Sequence, residues 1–255
     1  MTILAAIGAR FSAFYTDQLK GIIWGISAAS IGALYTVAGR LAFDSGMNVT
    51  DLMMLRYLGA MFILLPLHGR RFWQTKHLIT SNLRSWLLAS ILAGPLFAIT
   101  LFLGLQSSSP ANSAMLPFIA MSTMGIVWSA LLLKFKIRLL QWSGLMIIIA
   151  GLVLSNVTSL VTGADFSWQG LGLFWLAGSL WAGFGVFLKV FKLPALTVTT
   201  FVSVISSLVV LPIFLLNTNI SYLVELPLGL WLSQLIIQGV LAGCGTTHLK
   251  KIQRE

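Results

Sequence analysis

The chain has 255 residues, of which 58% are apolar and only 9% charged, with a mean hydropathy of +0.94. A soluble domain carries about 45–50% apolar and about 25% charged residues, so the numbers argue against a soluble enzyme, a nucleic-acid binder and a disulfide scaffold. The net charge of +10 (16 Lys and Arg against 6 Asp and Glu) reads in a membrane protein as the positive-inside bias, and Cys244 has no second cysteine to pair with.

The predicted elements are membrane-spanning helices at 20–39, 51–67, 85–104, 112–133, 139–155, 169–188, 195–216 and 228–246, eight in all. Residues 1–19 form a tail: Met1 to Phe14 has no basic start and is interrupted by Arg10, unlike a signal peptide. The second run is short for a crossing. Trp73, Trp86, Trp142, Trp168 and Trp231 fall near span ends, where interfacial anchors belong.

Loop charge alternates along the chain. Arg10, Asp17 and Lys20 precede the first span, and Arg40, Asp44 and Asp51 follow it. Arg70, Arg71, Lys76 and Arg84 fill the second loop, and Gln106 to Ala111 carries no charge. Lys134, Lys136 and Arg138 are followed by Asp165, then Lys189 and Lys192 by Glu225, and Lys250, Lys251, Arg254 and Glu255 close the tail. The odd loops total −3 and the other side +12, with Arg56 left inside the second span. This pattern predicts both termini in the cytoplasm of a multi-pass cell-membrane protein.

The chain also aligns with itself. Gly21–Arg40 matches Gly170–Lys189, bringing Ser30 onto Ser179, Ala33 onto Ala182, Tyr35 onto Phe184, Val37 onto Val186 and Arg40 onto Lys189. Leu65-Pro66 then matches Leu211-Pro212, and Trp86 with Gly94 matches Trp231 with Gly239, the offset drifting only from 149 to 145. Five spans separate the copies, so the second enters the bilayer from the opposite side. An inverted-repeat helical bundle of this kind is how secondary transporters expose a midplane site to each side in turn. The expected organisation is a tail at 1–19, a five-helix repeat at 20–160, an incomplete three-helix inverted repeat at 161–246 and a basic cytoplasmic tail at 247–255.

Three stretches carry a family resemblance. Ser179-Leu-Trp-Ala-Gly-Phe-Gly-Val-Phe-Leu-Lys189 and its counterpart Ser30-Ile-Gly-Ala-Leu-Tyr-Thr-Val-Ala-Gly-Arg40 open the two halves; Leu55-Arg-Tyr57 marks the second helix; Pro110-Ala-Asn-Ser-Ala-Met115, with Gln141-Trp-Ser-Gly144 and Gly151, marks the fourth and fifth. Over about residues 20–240 the chain resembles EamA-type members of the drug/metabolite transporter superfamily. The resemblance implies ten helices, cytoplasmic termini, a central cavity and export of small metabolites. The family's proline near Thr123 and glutamate near Phe135 are missing, and no ninth or tenth helix follows, which reads as a C-terminally shortened or frameshifted chain.

The chemistry available is sparse. All six carboxylates and His68, His77 and His248 are expected in tails or loops, so no buried proton relay, metal cluster or nucleophilic triad is expected, and no cofactor. Arg56 either holds a substrate carboxylate or phosphate or snorkels to the helix end. Tyr35, Trp181, Phe184, Tyr57 and Trp24 offer an aromatic lining. Ser30 and Ser179 permit close helix packing or line the path; Asn112 and Ser113 cap a helix or touch substrate; Gln234 and Gln238 form a polar seam. Three glycosylation sequons, Asn48-Val-Thr50, Asn156-Val-Thr158 and Asn219-Ile-Ser221, fall on the expected outer side.

The expected function is a non-enzymatic secondary transporter, an exporter or exchanger of a small metabolite or drug-like solute by alternating access. Arg56, Tyr35, Trp181, Phe184, Tyr57, Asn112 and Ser30 are the candidate solute contacts, and the expected partners are the lipid bilayer and the solute, not nucleic acid. The rival is a non-transporting membrane protein that pairs as a homodimer or with a helix-completing subunit.

Overall fold

Helices account for almost every residue that the computed structural model describes: 19, 23, 25–27, 29–134, 137, 139–162, 167–217 and 225–241. No strand occurs among them. In chain order they are α1 (Gly25–Asp44), α2 (Val49–Gln74), α3 (Lys76–Ser81), α4 (Leu83–Ala93), α5 (Pro95–Ser107), α6 (Pro110–Leu132), α7 (Leu139–Thr162), α8 (Trp168–Val190), α9 (Ala195–Asn217) and α10 (Leu228–Gln234), which continues as a π-helical turn over Leu235–Leu241. Trp24, Asp165, Asn219, Lys136, Arg138, Cys244, His248 and the tails at 1–18 and 242–255 lie outside the described residues.

Among the described residues six stretches are long and apolar enough to cross a bilayer: α1, α2, α4 with α5, α6, α8 and α9. The two others expected from the sequence are shorter apolar stretches, Leu139–Leu154 of α7 and Leu228–Leu241. The chain is a multi-pass helical membrane protein.

Two spans differ from expectation. The second is longer than the apolar run, 26 residues, because charge ends a hydrophobic stretch but not a helix: Arg70 and Arg71 continue α2. Its start is fixed by Asp51, whose carboxylate accepts the Asn48 backbone N–H at 2.7 Å and sits favourably at the positive end of the helix. Asp51, expected in a loop, is therefore fully buried in the first turn. The third span is two helices rather than one. Gly94, at φ −92° and ψ −145°, leaves helical geometry between α4 and α5, and Pro95 cannot donate back into α4.

Inside a bilayer, helices associate through close van der Waals contact rather than hydrophobic expulsion. Accordingly α8 lies along α6 and α5, and α2 along α9. At the α6–α8 crossing a Cβ on Gly178 would stand 2.6 Å from the Ala120 backbone, so only glycine permits that approach. Ser179, beside it, accepts the Trp128 indole N–H at 3.1 Å. Gly59 of α2 meets Gly239 of the π turn just as closely.

Trp86 is not an interfacial anchor. It is fully buried at the start of α4, edge-on to Phe201 at 5.4 Å, in a cluster with Phe184, Phe187 and Val198. Trp73 and Trp168 do stay exposed near helix ends.

Candidate functional site

Arg56 and Tyr57 are successive residues of α2, so their side chains diverge by about 100° around the helix. Arg56 turns toward α1 and α5. Its guanidinium carbon lies 5.3 Å from the ring centroid of Tyr35 and 5.3 Å from that of Phe97. Arg56 is 8% exposed, so the guanidinium stays among the helices and does not reach the membrane surface. Trp181 of α8 stacks on Phe97 at 4.9 Å, and Phe184, three residues along the same helix, lies 5.8 Å from Trp181. Tyr35, Arg56, Phe97, Trp181 and Phe184 thus form one continuous cluster drawn from four helices.

No carboxylate pairs with Arg56 among the described residues: Asp44 pairs with Arg40, and Asp51 is held at the head of α2. Burying a guanidinium in a bilayer costs at least ~2.5–3.5 kcal/mol. Two desolvated ring contacts return about 2 kcal/mol each, so the Tyr35 and Phe97 rings can hold the charge without an acid. The Tyr35 and Tyr57 hydroxyls also interact with it. Even so, Nη1 is buried with no hydrogen-bond partner.

Tyr57 turns to the break in the third span. Its hydroxyl donates to the Gly94 carbonyl at 2.6 Å and lies 3.2 Å from that of Ala93, so a side chain of α2 is bonded to the carbonyls where α4 ends. A Cβ on Gly94 would collide with the Ser90 carbonyl oxygen and approach Ser206 Oγ to 2.9 Å. Ser206 is fully buried and its hydroxyl has no partner.

The polar seam of Gln234 and Gln238 positions α1. Gln234 Nε2 donates to the Ala38 carbonyl at 2.9 Å and Gln238 Nε2 to that of Tyr35 at 3.1 Å. These bonds fix the backbone of Tyr35 against the π turn, whose Gly239 touches α2 three residues beyond Arg56. π turns recur where a helix serves a site rather than a scaffold.

Two candidates lie apart from the cluster. Ser30 is exposed on α1. Asn112 is buried in the first turn of α6, where the cap is Ser109, whose Oγ accepts the Asn112 backbone N–H. Two residues absent from the sequence-based set join the site, Phe97 and Ser206. Gly94-Pro95 is the available signal for Phe97, since that dipeptide breaks a helix and places Phe97 in a fresh first turn; nothing local in the sequence marks Ser206.

Beyond the cluster, Arg40 ends α1 as a clamp rather than a loop charge. Its Nη1 lies 2.9, 2.9 and 2.8 Å from the carbonyls of Leu105, Gln106 and Ser108, and Nη2 pairs with Asp44 at 3.1 Å. A surface cavity of about 390 Å³ lies at the α8–α9 turn, lined by Leu188, Lys189, Lys192, Leu193 and Pro194. Among the described residues no group of His, Cys, Asp and Glu could hold a metal ion.

The cluster is cationic, aromatic and buried between apolar helices. No curated protein matches the chain. The model of the EamA-like transporter family matches residues 19–157, which run from before α1 almost to the end of α7 and include Tyr35, Arg56, Tyr57 and Phe97. With more than half of its length matched, the chain belongs to the EamA-like transporter family, whose members are membrane transporters of small solutes.

Proposed function

We propose that this protein is a secondary transporter that exports or exchanges a small metabolite or drug-like solute by alternating access. Arg56 holds an acidic group of the solute, and Tyr35, Trp181, Phe184 and Phe97 form the walls. The observation that carries this reading is the buried guanidinium against two aromatic rings, with no carboxylate paired to it among the described residues and Nη1 unpartnered. A charge kept in hydrocarbon without its counter-ion is what a site for an anionic group requires. Orientation with both termini in the cytoplasm of the cell membrane is supported by Arg70, Arg71, Arg84, Lys134, Lys189 and Lys192, which follow from helix order at one end, opposite Asp44, Asp51 and Glu225.

The test is solute flux in proteoliposomes holding the purified chain. Arg56→Ala is expected to abolish flux while leaving yield and helical content unchanged. Flux at the wild-type rate would remove the arginine from the mechanism.

One observation favours the rival, in which a second copy or another subunit completes the bundle. Over 139–154, α7 is exposed along most of its length, and a Cβ on Gly144 or Gly151 would meet nothing within 4 Å. Native mass measurement in mild detergent decides: a complex supports this reading, and a monomer that transports solute ends it.

A further inference from the structure

The break in the third span supplies a feature that the aromatic cluster alone does not explain. It falls halfway along Leu83–Ser107, so α5 begins near the bilayer midplane and runs outward for 13 residues. The first helical amides of such a segment have no intrahelical acceptor: Pro95 has no N–H, and those of Leu96 and Phe97 point back toward the break, at the positive end of the helix dipole. The first bonded amide is that of Ala98, which donates to the Gly94 carbonyl at 3.2 Å.

Two side chains make this end different from an ordinary helix start. Ser206, from the middle of α9, is fully buried with its hydroxyl against Gly94 and no partner for it. Arg56, whose Nη1 is likewise buried and unpartnered, lies against the ring of Phe97, the third residue of α5. The break thus brings a half-helix N-terminus together with two unsatisfied polar side chains, the Ser206 hydroxyl and the cationic Arg56, and no acid among the described residues pairs with the arginine. Tyr57 occupies the carbonyl side of the break.

We infer that the Gly94–Pro95 break is the second half of an anion site: the Leu96 and Phe97 amides and the Ser206 hydroxyl bind the same carboxylate that Arg56 holds, which makes the transported solute a carboxylate with a flat, apolar body. This rests on the reading of Arg56 given above. The stacked Trp181 and Phe97 rings accept the body, and the planar carboxylate meets guanidinium on one side and hydroxyl and amides on the other. The described conformation keeps these atoms from solvent, as an occluded state does.

The experiment uses the full chain in lipid nanodiscs, with benzoate as probe and benzamide as its neutral isostere, read by quenching of tryptophan fluorescence and by the thermal shift each ligand produces. Benzoate is expected to bind and benzamide not. Ser206→Ala should weaken benzoate about ten-fold, the effect of losing one hydrogen bond to a charged group, with the ligand-free melting temperature unchanged. Ser207→Ala removes a neighbouring hydroxyl that is already bonded to the Ser203 carbonyl at 2.7 Å and should leave benzoate affinity as it is. Loss of benzoate binding in Arg56→Gln with no loss in Ser206→Ala would overturn the role of the break and leave the arginine anchor standing. Equal binding of benzoate and benzamide, or wild-type affinity in Arg56→Gln, would overturn both.

Discussion

Arg40→Ala is expected to destabilise the bundle by about 2–4 kcal/mol. The arginine ties the end of α1 to the end of α5, where the last carbonyls of a helix lack intrahelical donors. Its Nη1 has three carbonyl oxygens within 2.9 Å, those of Leu105, Gln106 and Ser108, but only two hydrogens, so at most two full bonds form at once. Hydrogen bonds to a charged group contribute about 1.5–3 kcal/mol each. With the Arg40 side chain 20% exposed, the lower part of that range applies, which gives the total above. The ion pair to Asp44 adds little, because an exposed pair four residues apart on a helix is worth about 0.3–0.5 kcal/mol. Asp44→Asn is therefore the control, with a loss of that smaller size. Reversible unfolding in mixed micelles, followed by far-UV circular dichroism as the denaturing detergent fraction rises, measures both. If Arg40→Ala is no more destabilising than Asp44→Asn, the clamp contributes nothing and the reasoning fails.

Three further outcomes separate packing from function. Gly178→Ala should lose about 1–3 kcal/mol by overpacking against the Ala120 backbone, whereas Gly185→Ala, with nothing within 4 Å of its Cβ, should stay within about 0.5 kcal/mol; equal effects in the same unfolding assay would refute the contact. Trp86→Ala should lose about 3–5 kcal/mol as a fully buried aromatic, against about 0.5 kcal/mol or less for Trp73→Ala, and parity would return Trp86 to the interface. Arg56→Met exchanges a desolvated charge and its two ring contacts for an apolar chain, so stability should change by no more than about 1 kcal/mol; a loss of 3 kcal/mol or more would mean that the arginine is structural.

Much of this was legible because lipid simplifies the code. Apolar length gives the order of the main apolar helices, and the sole charge within an apolar run, Arg56, points to the cluster. Tyr35, Trp181 and Phe184 followed from repeat alignment and helical spacing. What the sequence did not show is where a helix changes its winding. Gly94-Pro95 lies inside an unbroken apolar run, so hydropathy reads straight across it, and Phe97 and Ser206 went unnoticed among many similar residues. The π turn carries no composition signal either: Leu235–Leu241 is as apolar as any regular helix. Trp86 was misplaced because its position near a span end said nothing of α8 and α9 covering it, and Asp51 because a capping carboxylate reads as a loop charge until the helix start is known.

The irregular places correspond under the repeat alignment. Gly94 aligns with Gly239, and Ala60, next to Gly59, aligns with Ser206, at offsets of 145 and 146. In the fold Gly94 touches Ser206, and Gly239 touches Gly59. The third helix of each half thus departs from regular winding where it meets the second helix of the other half, and small residues bring the backbones together at both points. A regular helix resists bending because every turn is held by its own hydrogen bonds, whereas a break or a π turn has exchanged some of those bonds for side-chain partners such as Tyr57 and Gln238. Deformation at these points is therefore the least costly the bundle offers. The two points differ in form, one open at a proline and the other underwound, and Arg56 stands between them. For a carrier whose halves exchange shapes around a fixed charge, unlike conformations at equivalent positions are the arrangement that alternating access requires.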